Sequence, residues 1–297
     1  MDERLLRIVK EGSSSRNSVN IAALKQLTYW IRHSEYRSVD WSTVRHLHIL
    51  TENSSIFNQR YIGSDGIYVS RDHSWVLLLG APAVEEQWFV EQCQEHLELL
   101  NVMSACNKNL YLYRASNLHH LRVYGTHRLE ENGLVRGVSY LTKLEYLSLE
   151  NVHLIDDLNL AQMTRLRHID IRPSSDYQPI SIRGIGRQTE LTHLILFHVS
   201  WDEHLYVSQF PKLEVLHLIN NSGSSRLQGL SSLKNLKELY LCGPLASEIP
   251  DLSVLPHLKL LCLRDCREVT ALHGIDALKE LETLYEEKLK LQAPAQY

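Results

Sequence analysis

The chain lacks the short motifs that mark most enzymes. There is no GxxxxGK[ST] loop to cradle a phosphate, and Gly184 and Gly186 supply only GxG. HExxH and GxSxG are missing too, so neither a zinc protease helix nor a nucleophile elbow is present. Cysteine is scarce and unpatterned: Cys93, Cys106, Cys242, Cys262 and Cys266 are odd in number and never form CxxC. That usage points to free thiols in a reducing compartment, and no histidine stands at metal spacing from Cys262 and Cys266. A basic excess is absent as well. Lys and Arg number 31 against 35 Asp and Glu, a net charge of −4, which gives no field for nucleic acid or acidic lipid. No apolar run nears the length of a membrane span, and MDERLLRIVKEG opens acidic without the apolar core of a secretory signal. The expectation is a soluble, cytoplasmic, non-catalytic protein. It is expected to need no metal or cofactor, to bind no nucleic acid, to insert in no membrane and to be a monomer.

Leucine, by contrast, is abundant and regularly placed. Blocks open at Leu213, Leu236, Leu258 and Leu281, in steps of 23, 22 and 23 residues. Apolar residues occupy positions one, four and six of the first three: Leu213, Leu216, Leu218; Leu236, Leu239, Leu241; Leu258, Leu261, Leu263. The same register runs back through Leu191, Leu166, Leu144, Leu118 and Leu97. Val44-Leu47-Ile49 and Trp75-Leu78 read as degraded copies. A fixed step of this size marks stacked units that bury their apolar faces only against one another. Ile249, Leu252 and Leu255 then follow in three-residue steps, which suit a 3-10 turn.

These blocks resemble the leucine-rich repeat, LxxLxLxxN/CxL, in its 22-residue class, to which internalins and the regulatory subunit of type 1 phosphatase belong. Asn221 and Cys266 match position nine, whereas Val152, Val199 and Pro244 depart from it. The resemblance implies an α/β, right-handed solenoid: a horseshoe with a parallel concave sheet and short helical or 3-10 return segments. Residues 1–43 are expected to form an N-terminal helical cap, with a helix over 21–31. Residues 44–96 would hold degenerate repeats with an insertion at 51–75, a hairpin or protruding loop around Ser64-Asp65-Gly66. Regular repeats span 97–288, with a helical return at 80–96 and loops in the longer units at 125–138 and 173–186. Residues 289–297 form a tail.

In such a repeat positions three, five and seven alternate with the leucines and face outward. Column three holds His120, Tyr146, His168, His193, Val215 and Leu260; column five Arg122, Asp170, Ile195, His217 and Tyr240; column seven Tyr124, Glu150, Arg172, Phe197, Ile219 and Arg264. Ile195, Phe197, Val215, Ile219, Tyr240 and Leu260 gather apolar surface that the core does not require. Arg122, Glu150, Asp170 and Arg172 provide a charged rim. The expected function is recognition of another protein through this face, by an inhibitory or regulatory subunit such as an immunity protein or enzyme regulator. The unit LKLLCLRDCREVTAL also resembles repeats of plant resistance receptors and F-box adaptors. That likeness implies, as the alternative, the recognition module of a larger complex such as an immune receptor or ubiquitin-ligase adaptor.

Overall fold

A computed structural model describes residues 30–31, 40–50, 66–69, 75–79, 86–103, 109–125, 134–154, 157–173, 179–201, 205–223, 227–243, 249–266, 269 and 271–287. The strands β1 (Trp30–Ile31), β2 (His46–Leu50), β3 (Gly66–Val69) and β4 (Trp75–Leu79) precede a helix, α1 (Glu86–Cys93). There follow β5 (Leu99–Met103), β6 (Leu110–Tyr111), β7 (His120–Tyr124), β8 (Leu134–Arg136), β9 (Tyr146–Glu150), β10 (His153–Leu154) and β11 (Leu158–Asn159). Next come β12 (His168–Arg172), β13 (Ile180–Arg183), β14 (His193–Phe197), β15 (Val199–Trp201), β16 (Val215–Ile219) and β17 (Ser222–Gly223). Last are β18 (Glu238–Cys242), β19 (Leu260–Arg264) and β20 (Thr283–Glu287).

Among the described residues the main sheet has 13 strands, in the order β1-β3-β4-β2-β5-β7-β9-β12-β14-β16-β18-β19-β20. From β4 to β20 every neighbouring pair is parallel, and like positions of the repeat face one another: Leu194 opposite Leu216, Leu216 opposite Leu239, Leu239 opposite Leu261. Chain order and sheet order coincide from β5 onward. The first leucines of the units, together with positions four and six, are fully buried as far as Leu263. Core and periodicity are therefore one fact, because each coil's apolar edge is covered only by the coils beside it.

The N-terminal edge departs from simple succession. β2 lies directly against β5, and β4 lies outside β2. β4 reads WVLLL. β3 pairs antiparallel with both β4 and β1. Of the Ser64-Asp65-Gly66 signal only Gly66 is described, as the first residue of β3; Ser64 and Asp65 lie outside the described residues. Of the cap expected over 1–43, only 30–31 and 40–43 are described. Trp30 and Ile31 form a strand and not the end of a helix, because they pair with Tyr68 and Ile67.

The return side holds more strand than the repeat pattern predicts. β10-β8-β6 and β11-β13-β15-β17 form two small parallel sheets there. β8 and β13 arise from the long units expected to loop at 125–138 and 173–186. Residues 126–133 and 174–178, and the tail at 289–297, lie outside the described residues. Turns of 3-10 helix at 138–140, 185–187, 207–209, 230–232, 252–254 and 275–277 complete the coils. Within the expected return at 80–96, α1 covers 86–93 and buries Val90 and Cys93.

Two backbone features recur. The residue after the strand is left-handed in Asn151, His198, Asn220 and Asp265, with φ of 50° to 53°, and in Gly243 at 105°. A second series precedes the 3-10 turns: Gly137, Gly184, Gly229 and Gly274 are also left-handed. They stand 45 to 47 residues apart, in every second coil. In the coils between them the same position holds Asn159, Tyr206 or Asp251, and Tyr206 and Asp251 have negative φ. Asp251 accepts from Ser253 N at 2.9 Å and Asn159 from Ala161 N at 3.0 Å, so side chains cap those turns.

Candidate functional site

The concave face is the side of the main sheet whose residues alternate with the buried leucines. Its columns are ladders of register: His120, Tyr146, His168, His193, Val215, Glu238, Leu260 and Thr283 stand opposite one another strand by strand. Strands in a sheet lie about 4.7–4.9 Å apart, close to the stacking distance of flat rings. Four successive rings in column three use that match. The centroids of His120 and Tyr146 are 4.1 Å apart with planes at 9°, and those of Tyr146 and His168 4.2 Å apart at 12°. His193 continues at 5.1 Å, tilted by 33°.

The stack is dry enough to change the chemistry of its members. Burial, then His193, Arg122 and Arg172, hold the His168 imidazole down to about 3. Its Nε2 is buried and meets no hydrogen-bond partner among the described residues. The Tyr146 phenol is pushed up, first by burial. Burial also lowers His217, although Glu238 at 3.3 Å favours its charged form. Desolvation outweighs that half-exposed carboxylate.

The charged rim neutralises itself. Arg172 forks onto Asp170, with Nε donating to Oδ1 at 2.7 Å and Nη2 to Oδ2 at 3.0 Å. Alternate residues of one strand project from the same face, so the pair forms within β12. Arg172 is held above its ordinary value by Asp170 and then Glu150, against burial. Glu150 lies across from Arg172 and Tyr124, and Arg122 from Ser148. Tyr124 is pushed up by burial and then by Glu150.

The six apolar residues singled out in the sequence lie on β14 to β19, on one continuous stretch of sheet. Phe197 faces Ile219, whereas Ile195 faces His217, which faces Tyr240 in turn. Glu238 separates Val215 from Leu260. Val215 is 8 % exposed and the other five are partly buried, so the patch is flush with the sheet. The most exposed large apolar side chains among the described residues are elsewhere: Tyr113, Tyr140, Tyr206, Leu284 and Tyr285. Arg264 is exposed at the far end of column seven.

Two residues of this face were missed by the columns drawn from the sequence. His46 faces Leu99 and His48 faces Asn101, so they extend columns three and five onto β2. The signal was present in Val44-Leu47-Ile49, whose positions three and five they are. His48 is 1 % exposed, and burial, then His46 and His120, holds it down to about 3. Among the described residues no three His, Cys, Asp or Glu side chains converge to hold a metal. No described helix is long and apolar enough to cross a membrane.

No family model and no curated protein matches the chain. Solved structures do. The ectodomain of the Arabidopsis thaliana receptor kinase GASSHO1/SCHENGEN3, solved with CASPARIAN STRIP INTEGRITY FACTOR 2, aligns over 68 % of this chain and 26 % of its own. Its identity is 17 % and its TM-score 0.46. An internalin, inlF, of Listeria monocytogenes aligns over 72 % of this chain and 75 % of its own, at 16 % identity and TM-score 0.42. A leucine-rich repeat protein of Leptospira interrogans aligns over 73 % and 71 %, at 16 % identity and TM-score 0.33. The chain spans about a quarter of the length of the receptor ectodomain. What identifies it is its own repeat carried through the register of its sheet: leucines at positions one, four and six buried coil on coil, Asn221 and Cys266 bonding to the carbonyls of Leu196 and Leu241 in neighbouring coils, and alternate residues turned to the open face. The chain is a leucine-rich repeat solenoid.

Proposed function

We infer that the chain recognises another protein through its concave face, without catalysis, as an inhibitory or regulatory subunit. One observation carries the reading. From β7 to β19 a single parallel sheet presents a ring column, a flush apolar strip and a self-paired charged rim side by side. A partner laid across it meets groups already ordered by the ladder, so little conformational freedom is lost on binding. Tyrosine, phenylalanine and arginine at its centre are residue types that concentrate binding energy. A reducing, cytoplasmic setting fits the four described cysteines, all of them buried. Burial pushes the Cys93 thiol up to about 12 and the Cys266 thiol up to about 11.

The test is photo-crosslinking in native cells from a reactive residue placed at Phe197, followed by mass spectrometry. One partner should be recovered, and Tyr240→Ala introduced in the same chain should reduce its yield at least tenfold while circular dichroism stays unchanged. Undiminished yield from the Tyr240→Ala chain refutes the assignment of this face.

A further inference from the structure

His168 stands at the middle of the ring column, with Tyr146 on one side and His193 on the other. The groups around it come from every strand nearby. β7 brings His120 and Arg122, β9 brings Tyr146 and Glu150, and its own strand brings Asp170 and Arg172. β14 brings His193, whose Nδ1 lies 2.9 Å from Thr192 Oγ1, and beyond it lie His217 of β16 and Glu238 of β18. Two guanidiniums and further imidazoles surround the ring. The carboxylate on its own strand, Asp170, is already gripped by both arms of Arg172.

We propose that the ring column is an acid-sensitive latch: a proton taken up by His168 unstacks Tyr146, His168 and His193 and loosens the middle of the concave face. The closed stack excludes the proton, as the depressed His168 titration above requires. Once open, the imidazole returns to its ordinary value of 6.5. The sign follows from which state holds the proton. The open state gains it below 6.5 and the closed state only near 3, so acid favours opening throughout that interval. At pH 5 the opening constant is expected to be about 30-fold larger than at pH 8. The latch rests on the recognition reading only in where it acts, and its test uses the chain alone, so either idea can fail without the other.

Hydrogen exchange of the full chain at pH 8 and pH 5, corrected for intrinsic rates, reads local opening. Protection of amides in β9, β12 and β14 is expected to fall about 30-fold in the wild type, with β19 unchanged. His168→Phe keeps a ring in the stack and removes the proton site, so its protection should change less than about threefold. An equal fall in both proteins, or one spread evenly over all strands, overturns the proposal. Should His168→Phe not fold, 13C-labelled histidine in the wild type decides. A His168 Cε1 shift that stays flat from pH 8 to 4.5 supports the latch, and a midpoint near 6.5 in the folded protein overturns it.

Discussion

Alanine substitution at three glycines separates backbone strain from contact between coils. Gly243 has φ of 105° and a Cβ there would meet nothing nearer than Asn220 Cα at 4.0 Å. Gly243→Ala therefore isolates the left-handed penalty, about 1 kcal/mol. Gly186 has no left-handed backbone, and its added methyl would meet the end of the exposed Gln209 side chain, which can swing aside. Gly186→Ala should stay within about 0.5 kcal/mol. Gly184 combines both problems. Its φ is 67°, and a Cβ would sit 2.8 Å from Ala161 N and 2.9 Å from Ala161 Cα, the backbone of the preceding coil. Backbone cannot rotate away as a side chain does, so the coils must part. That overpacking adds about 1–3 kcal/mol to the left-handed cost, about 2–4 in all. Urea unfolding followed by circular dichroism measures all three; with a slope of about 3 kcal/mol/M, Gly184→Ala should lower the midpoint by about 1 M. The reasoning is refuted if Gly184→Ala costs no more than Gly243→Ala at an unchanged slope.

Two further outcomes are expected. Buried Asn221 accepts from Val199 N at 2.8 Å and donates to Leu196 O at 2.9 Å, so Asn221→Ala strands two main-chain groups and should cost about 2–3 kcal/mol. The same unfolding curves check it, and a loss below about 0.5 kcal/mol would mean the two groups find other partners. His48, neutral when folded down to about 3, gains a proton on unfolding below 6.5, so its contribution is constant above 6.5 and turns destabilising as pH falls. At pH 5 that term is about 2 kcal/mol, and His48→Leu should flatten the stability–pH slope between 7.5 and 5 by this amount. An unchanged slope would show that His48 keeps its ordinary value.

Leucine spacing was enough to assign the coils because each position has a single physical role. Leu216 is buried whichever neighbours it has, so its unit can be read in isolation. The outward columns followed from alternation alone, and the strand pairings place His168 against Tyr146 and His193 as the spacing requires. The ring stack was not legible, since it depends on how closely two strands approach and how their side chains rotate. Tyr146 was one tyrosine in a column until its ring lay between two imidazoles. The position of β4 was hidden for another reason: Trp75-Leu78 carries the same apolar signature whether it follows β2 or precedes it in the sheet. The short return-side strands were masked by unit length, because extra residues in 125–138 and 173–186 read as loop when no partner strand is known. The apolar strip was overdrawn, because alternation says which way Val215 points and not how deeply its neighbours bury it.

The alternating turns define a larger building block than the single coil. The coils entered through Gly184, Gly229 and Gly274 rest on those entered through Asn159, Tyr206 and Asp251, and each of these glycines leans on the coil before. Removing one coil would set two turns of the same kind against each other, while removing a pair would restore the fit at the new junction. Growth or shortening of this protein, natural or engineered, is therefore compatible with its packing in steps of two coils, about 45 residues at a time.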